Sequence, residues 1–184
     1  MVALTTTKID CDFQAIDFNL QGQDLGYYSL SDLKGKNGTV VAFICNHCPF
    51  VQAILTKMID QAKELEEFGV NFIAISSNDT KLFPQDSFEN MCKLAEERKF
   101  GFRYLFDETQ EIAKAYGAVC TPDFFGFDGN LKLRYRGRFD DSSMRYDKAS
   151  TRDLFNAMKD IAQNQLTNLA TQHPSVGCSI KWKN

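Results

Sequence analysis

A chain of 184 residues, 43% of them hydrophobic, is long enough for one well-buried domain and short for two, so residues 1–184 read as a single domain. Its 21 basic and 24 acidic residues leave a formal charge of -3 and form no basic block, which argues against nucleic acid or an anionic membrane as partner. The first thirteen residues have neither a basic leader nor a long apolar run, and no later segment reaches the ~20 apolar residues that span a bilayer, so the expected compartment is the cytoplasm.

Along the chain, the broken alternation of Phe13, Ala15, Ile16, Phe18 and Leu20, a polar Gln21 to Asp24 and then Leu25 to Tyr28 predict an N-terminal β-hairpin. Ser29 to Leu33 reads as one helical turn. Val40 to Ile44 is a continuous apolar, β-branched run, the pattern of a central strand covered on both faces. Val51, Ile54, Leu55, Met58, Ile59, Ala62 and Leu65 then recur at spacings of three and four, predicting a helix stopped at Gly69. Val70 to Ile75 is a second buried strand, parallel to the first through a right-handed crossover. A loop over residues 76–80 leads to a helix over residues 87–99 with Phe88, Met91, Cys92 and Ala95 inward. A short strand (Tyr104 to Phe106) and a short helix (Thr109 to Tyr116, stopped at Gly117) follow. Phe124 to Phe127 and Leu131 to Arg136 flank the turn Asp128-Gly129-Asn130 as an antiparallel pair. Residues 138–150 read as a solvated polar loop in which Arg138, Asp140 and Asp141 carry no periodic pattern. Leu154, Phe155, Met158 and Ile161 mark the last helix, and the tail over residues 171–184, with Pro174, Gly177, Cys178 and Trp182, is expected to dock on the body.

Six cysteines are spread irregularly (Cys11, Cys45, Cys48, Cys92, Cys120, Cys178) in a chain too large to need stapling, so most are expected as thiols. Cys45-Asn46-His47-Cys48-Pro49 is the exception in position. It lies where the buried strand hands over to a helix, whose N-terminus carries free N-H groups and a partial positive charge that stabilise a thiolate. The spacing lets one thiol fold back on the other within a helical turn. Such a pair reads first as redox-active and second as half of a zinc site. The remaining zinc ligands would be His173 with Cys178 or Cys120, which are not spaced as a compact pair. No metal and no cofactor are expected.

This order of elements, with Cys45 to Cys48 and Thr121-Pro122 as motifs, resembles the thioredoxin superfamily over about residues 10 to 162. The N-terminal hairpin, the insertion before Tyr104 and Cys48-Pro49 are similar to its AhpC/TSA (peroxiredoxin-like, redoxin) branch. Residues 137–141 and 174–183 further resemble a bacterial subgroup of redoxin-domain proteins. The resemblance implies an α/β thioredoxin-like fold with a central mixed sheet flanked by helices and an N-terminal hairpin extension. It also implies that Cys45 is the more exposed attacking thiol, Cys48 the resolving thiol and Pro122 a cis-proline, with Thr121 free to pair with an extended substrate and Asn46 and Pro49 beside it. Three features depart from the family patterns: the arginine that polarises peroxide in peroxiredoxins has no match, Pro122 standing in its neighbourhood, and two residues are replaced. Cys45 replaces the threonine that precedes a peroxidatic cysteine at the Cys48 position, and Thr39 replaces the buried aspartate of ordinary thioredoxins.

A partly protonated His47 beside Cys45 would favour the thiolate and make the disulfide more oxidising than that of thioredoxin. Cys178, held near the site by a docked tail, and Cys120 are accessory redox candidates, while Cys92 and Cys11 read as bystanders. The expected activity is thiol-disulfide exchange with a protein or small-molecule disulfide and a thiol reductant. A thiol-dependent peroxidase and a non-catalytic metal-binding or chaperone module are the alternatives.

Overall fold

The computed structural model describes residues 3–6, 12–142, 151–164 and 172–183. Cys11, most of the expected polar loop (143–150) and residues 171 and 184 of the tail lie outside the described residues. The strands are β1 (Ala3–Thr5), β2 (Asn19–Gly22), β3 (Tyr27–Ser29), β4 (Gly38–Phe43), β5 (Val70–Ser76), β6 (Arg103–Phe106), β7 (Cys120–Thr121), β8 (Asp123–Asp128), β9 (Leu133–Gly137) and β10 (Val176–Ser179). The helices are α1 (Leu30–Leu33), α2 (Pro49–Glu66), α3 (Phe88–Glu97), α4 (Glu111–Tyr116) and α5 (Asp153–Ala162), with a 3-10 turn at Pro84–Asp86. Among the described residues, no helix is long and apolar enough to cross a membrane.

Seven strands form a mixed sheet in the order β3-β2-β6-β5-β4-β8-β9. β4, β5 and β6 run parallel, in register Val40 to Phe72 and Ile73 to Arg103, while β8 lies antiparallel to β4 with Phe124 opposite Ala42. β4 is central, which is why its sequence is apolar on both faces. Val40 and Ala42 pack with Val51, Leu55 and Met58 of α2 and Leu154 and Met158 of α5. Val41 and Phe43 face the opposite side, with Ile73, Phe125 and α4's Tyr116. Burying such side chains against both layers supplies on the order of 2 kcal/mol each from hydrophobic transfer. α2 ends at Glu66, and Gly69 takes the left-handed conformation (φ +72°) that turns the chain into β5.

The predicted hairpin forms as β2 and β3, and Ser29 caps α1 by accepting from Asp32 N-H. One expectation gains detail and another changes. The tail docks as a strand: β10 lies between β1 and β7 in a separate three-stranded antiparallel sheet. The described part of the expected solvated loop is instead tied down, with Asp140 buried and bonded to Lys57 at 2.5 Å. Arg138 pairs there with Asp153, and Asp141 accepts from Thr151 N-H.

Candidate active site

The site begins where β4 ends. Ile44 N-H still bonds the carbonyl of Ile75 at 2.9 Å, and the chain then turns through Cys45, Asn46 and His47 into α2. Cys48 is the N-cap of that helix and Pro49 its first residue, a position where the missing proline N-H costs no hydrogen bond.

The turn is held from outside by Asp86, a fully buried carboxylate in the 3-10 turn between β5 and α3. Its Oδ1 accepts from Asn46 N-H at 2.9 Å and His47 N-H at 3.3 Å. Its Oδ2 accepts from Asn78 Nδ2 at 2.8 Å and lies 2.6 Å from His47 Nδ1. The imidazole also stacks on Phe83, with ring centroids 5.8 Å apart. Asn46, expected to face substrate, is committed to the protein. Its Nδ2 donates to Gln85 O (3.1 Å), its Oδ1 accepts from Tyr104 O-H (3.0 Å) and its carbonyl accepts from Gln52 Nε2 (2.5 Å). Pro49 is exposed at the helix start.

Neither thiol of the pair is exposed: Cys45 is 1% and Cys48 0% exposed. The reason is the loop at Thr121-Pro122, whose peptide bond is cis and which lies directly over both sulfurs. Cys45 Sγ is 3.4 Å from Thr121 Oγ1, and Cys48 Sγ is 3.0 Å from the Thr121 carbonyl oxygen. Hydrogen bonding from Cys45 leads the effects that hold Cys48 down to about 5; Thr121, Cys178 and the backbone at Val51 add to it, against the opposing pull of burial. Cys45 is pushed the other way, above the ordinary thiol range, because it donates to Cys48, is buried and faces the Asp86 carboxylate. The Thr121 carbonyl, 3.0 Å away, favours a protonated Cys48, but the lowering effects and the positive end of α2 outweigh it. Of the two thiols, Cys48 is therefore the more readily ionised.

This geometry changes the part expected of His47. Its Nδ1 is 4.0 Å from Cys45 Sγ but 2.6 Å from Asp86, so any imidazolium charge is offset by the adjacent carboxylate before it reaches Cys45. Cys45 Sγ, His47 Nδ1 and an Asp86 oxygen lie within 4.8 Å of one another, and of the described residues these are the ones placed to hold a metal ion. Both Asp86 oxygens already accept two contacts each from the protein, so the carboxylate works here as the hub that shapes the turn.

Thr121, expected to offer its backbone to a substrate, is already paired. Cys178 of β10 sits opposite it, and Ser179 sits opposite Cys120. The register brings Cys178 Sγ to 3.0 Å from Cys48 Sγ. Cys120 is buried but turned away, its thiol directed at the Pro122 carbonyl at 3.6 Å, and burial pushes it well above the ordinary thiol range. Cys92 is half-buried on α3. His173 is exposed at the rim of a cavity of about 480 Å³ beside the site, lined among others by Phe50, Pro122, Phe124, Phe139 and Pro174.

Asp86, Asn78 and Tyr104 are site residues that the sequence pattern does not reveal. Asp86 lies in Pro84-Gln85-Asp86-Ser87, whose only local signal is a proline-led turn and a helix cap; its reach to residue 46 spans 40 positions.

With the site described, its relatives are informative. An uncharacterized conserved protein from Geobacillus kaustophilus is similar at 43% identity with TM-score 0.94, covering 100% of this chain and 97% of that one. A hypothetical protein from Sinorhizobium meliloti 1021 is similar at 37% identity with TM-score 0.92, covering 97% and 98%. The peroxidoxin BcpB of Mycobacterium tuberculosis, 20% identical with TM-score 0.58 over 87% of this chain and 96% of that one, shares the fold. No curated protein matches the chain. The sequence pattern of the AhpC/TSA family matches residues 12–136, a span that runs from the N-terminal hairpin through Cys45, Cys48 and the cis Thr121-Pro122 bond to β9, and the chain belongs to the AhpC/TSA family of thioredoxin-fold proteins.

Proposed function

We propose that this protein is a thiol-disulfide oxidoreductase whose reacting sulfur is Cys48, with Cys45 as its disulfide partner. Membership of a thioredoxin-like redox family supports thiol-disulfide or peroxidase chemistry in general. The observation that carries the finer reading is the position of Cys48 as N-cap of α2 under the cis-proline loop, its sulfur 3.0 Å from both the Thr121 carbonyl oxygen and Cys178 Sγ, an environment that favours its ionisation over that of Cys45. A thiolate is the species that attacks a disulfide, and Cys48 bears it. In the forward cycle Cys48 sulfur attacks the substrate disulfide and expels one substrate thiol. Cys45 then attacks Cys48 and releases the second thiol, leaving Cys45-Cys48 oxidised for an external thiol to reduce. This assigns the roles opposite to those expected from the family resemblance.

The test is insulin or glutathione-disulfide reduction by single serine variants. Cys48→Ser is expected to lose turnover entirely, and Cys45→Ser to lose multiple turnover while still reacting once with the disulfide. Single-turnover reaction in Cys48→Ser but not in Cys45→Ser would reverse the assignment.

A peroxidase reading has one specific observation in its favour: the thiolate falls on the second cysteine, followed by Pro49, where the family pattern puts a peroxidatic sulfur. Against it, the nearby arginines are engaged elsewhere, Arg136 with Asp123 and Arg138 with Asp153. Rapid hydrogen peroxide consumption with a sulfenate on Cys48 would favour this second activity.

A further inference from the structure

β10 occupies the edge of Thr121, the backbone that a thioredoxin-like site leaves open beside its cis-proline, so an extended polypeptide cannot pair there while the strand is seated. The fit is close. A Cβ on Gly177 would lie 2.1 Å from the Thr121 carbonyl oxygen, so the residue before Cys178 has to be glycine for the strand to approach. Cys178 is directly opposite Thr121, 2% exposed, and its sulfur lies 3.0 Å from Cys48 Sγ, about 1 Å beyond the length of a disulfide bond. Cys48 thus has a thiol on either side, Cys45 from its own turn and Cys178 from the chain's end.

We propose that Cys178 is a third redox thiol, which takes the disulfide from the Cys45-Cys48 pair and makes the C-terminal strand the protein's own tethered substrate. The proposal rests on the redox reading of Cys48. In the step, Cys178 sulfur attacks Cys48 Sγ, the Cys45-Cys48 bond breaks and the Cys48-Cys178 bond forms. The Cys178 proton ends on Cys45. One disulfide and one thiol are present before and after, so no outside oxidant is consumed. The product leaves Cys45 reduced and fastens β10 covalently to the start of α2.

The test uses the full chain, wild type, Cys45→Ser and Gly177→Ala, each reduced and then exposed to glutathione disulfide, alkylated and mapped by non-reducing peptide mass spectrometry. Wild type is expected to show Cys48-Cys178 beside Cys45-Cys48. In Cys45→Ser, Cys48-Cys178 should exceed the Cys48-glutathione adduct roughly tenfold or more at about millimolar glutathione disulfide, because a tethered thiol acts at high effective concentration. Gly177→Ala keeps every thiol but displaces the strand, and should lower that pairing relative to Cys45-Cys48. Cys45-Cys48 alone in wild type, with Cys178 alkylated and only the glutathione adduct in Cys45→Ser, would overturn the proposal and leave the oxidoreductase reading intact. Absence of both disulfides in wild type would overturn the two together.

Discussion

At the scale of residues, the chemistry turns on which of the two thiols ionises more readily. Besides the hydrogen bond to Cys48 and burial, the Asp86 charge opposes ionisation of the first cysteine, while hydrogen bonding and the start of α2 assist ionisation of the second. Asp86→Asn removes the charge with little change of shape. It should ease Cys45 ionisation, seen as faster alkylation of Cys45 at a given pH; an unchanged rate would contradict the role given to Asp86. Asp86→Ala additionally strips acceptors from the N-H groups of Asn46 and His47, and should cost about 1–3 kcal/mol in urea unfolding. Neither effect was legible in the sequence. His47, two residues from Cys45, was the visible neighbour, whereas Asp86 reaches the turn only through the folding of the segment between β5 and α3.

At the scale of elements, β4 and α2 were readable because their patterns are long and periodic: five consecutive apolar residues, then a stripe from Val51 to Leu65. The cysteine pair at their junction could therefore be placed correctly. β7 and β10 were not readable as strands. Cys120-Thr121 is two residues long, and Val176–Ser179 mixes a glycine and a serine into four, so neither carries a countable period. Their pairing is a tertiary fact, set by the space that Gly177 leaves beside Thr121. Gly177→Ala should overpack that approach by about 1–3 kcal/mol. Hydrogen exchange should then quicken at Thr6 and Ile180, whose amides bond Ser175 and Val119, and stay slow in β4. Unchanged exchange at both amides would show that the strand tolerates the extra carbon. The loop after β9 misled for a related reason: Asp140 looks like a solvated charge until Lys57, 83 positions away, is seen to cover it.

At the scale of the whole molecule, two buried groups give stability an opposed dependence on pH. Cys48 is held down from 9.0 to about 5, so the folded state holds fewer protons there. Its contribution is fully present above about 9 and is lost as pH falls towards about 5. Asp123, beside Arg136, is raised from 3.8 to about 6 chiefly by burial. Its contribution is present below 3.8 and is lost as pH rises through about 6. Chemical unfolding of the reduced protein should show a gain between about pH 5 and 9 that Cys48→Ser removes, while the raised Cys45 opposes any further gain above that window. Asp123→Asn should flatten the decline between pH 3.8 and about 6. Persistence of either slope in its variant would assign that slope to other groups.

The central claim is that Cys48 is a redox-active thiolate with a disulfide partner inside this chain. A redox titration of the reduced protein against glutathione, with the paired cysteines identified by peptide mass spectrometry at each poise, tests it most directly. Stabilisation of the thiolate favours the reduced form, so a two-electron transition producing a Cys48-containing disulfide is expected above thioredoxin's potential of about -270 mV. Failure of Cys48 to enter an intramolecular disulfide at any poise would contradict the claim.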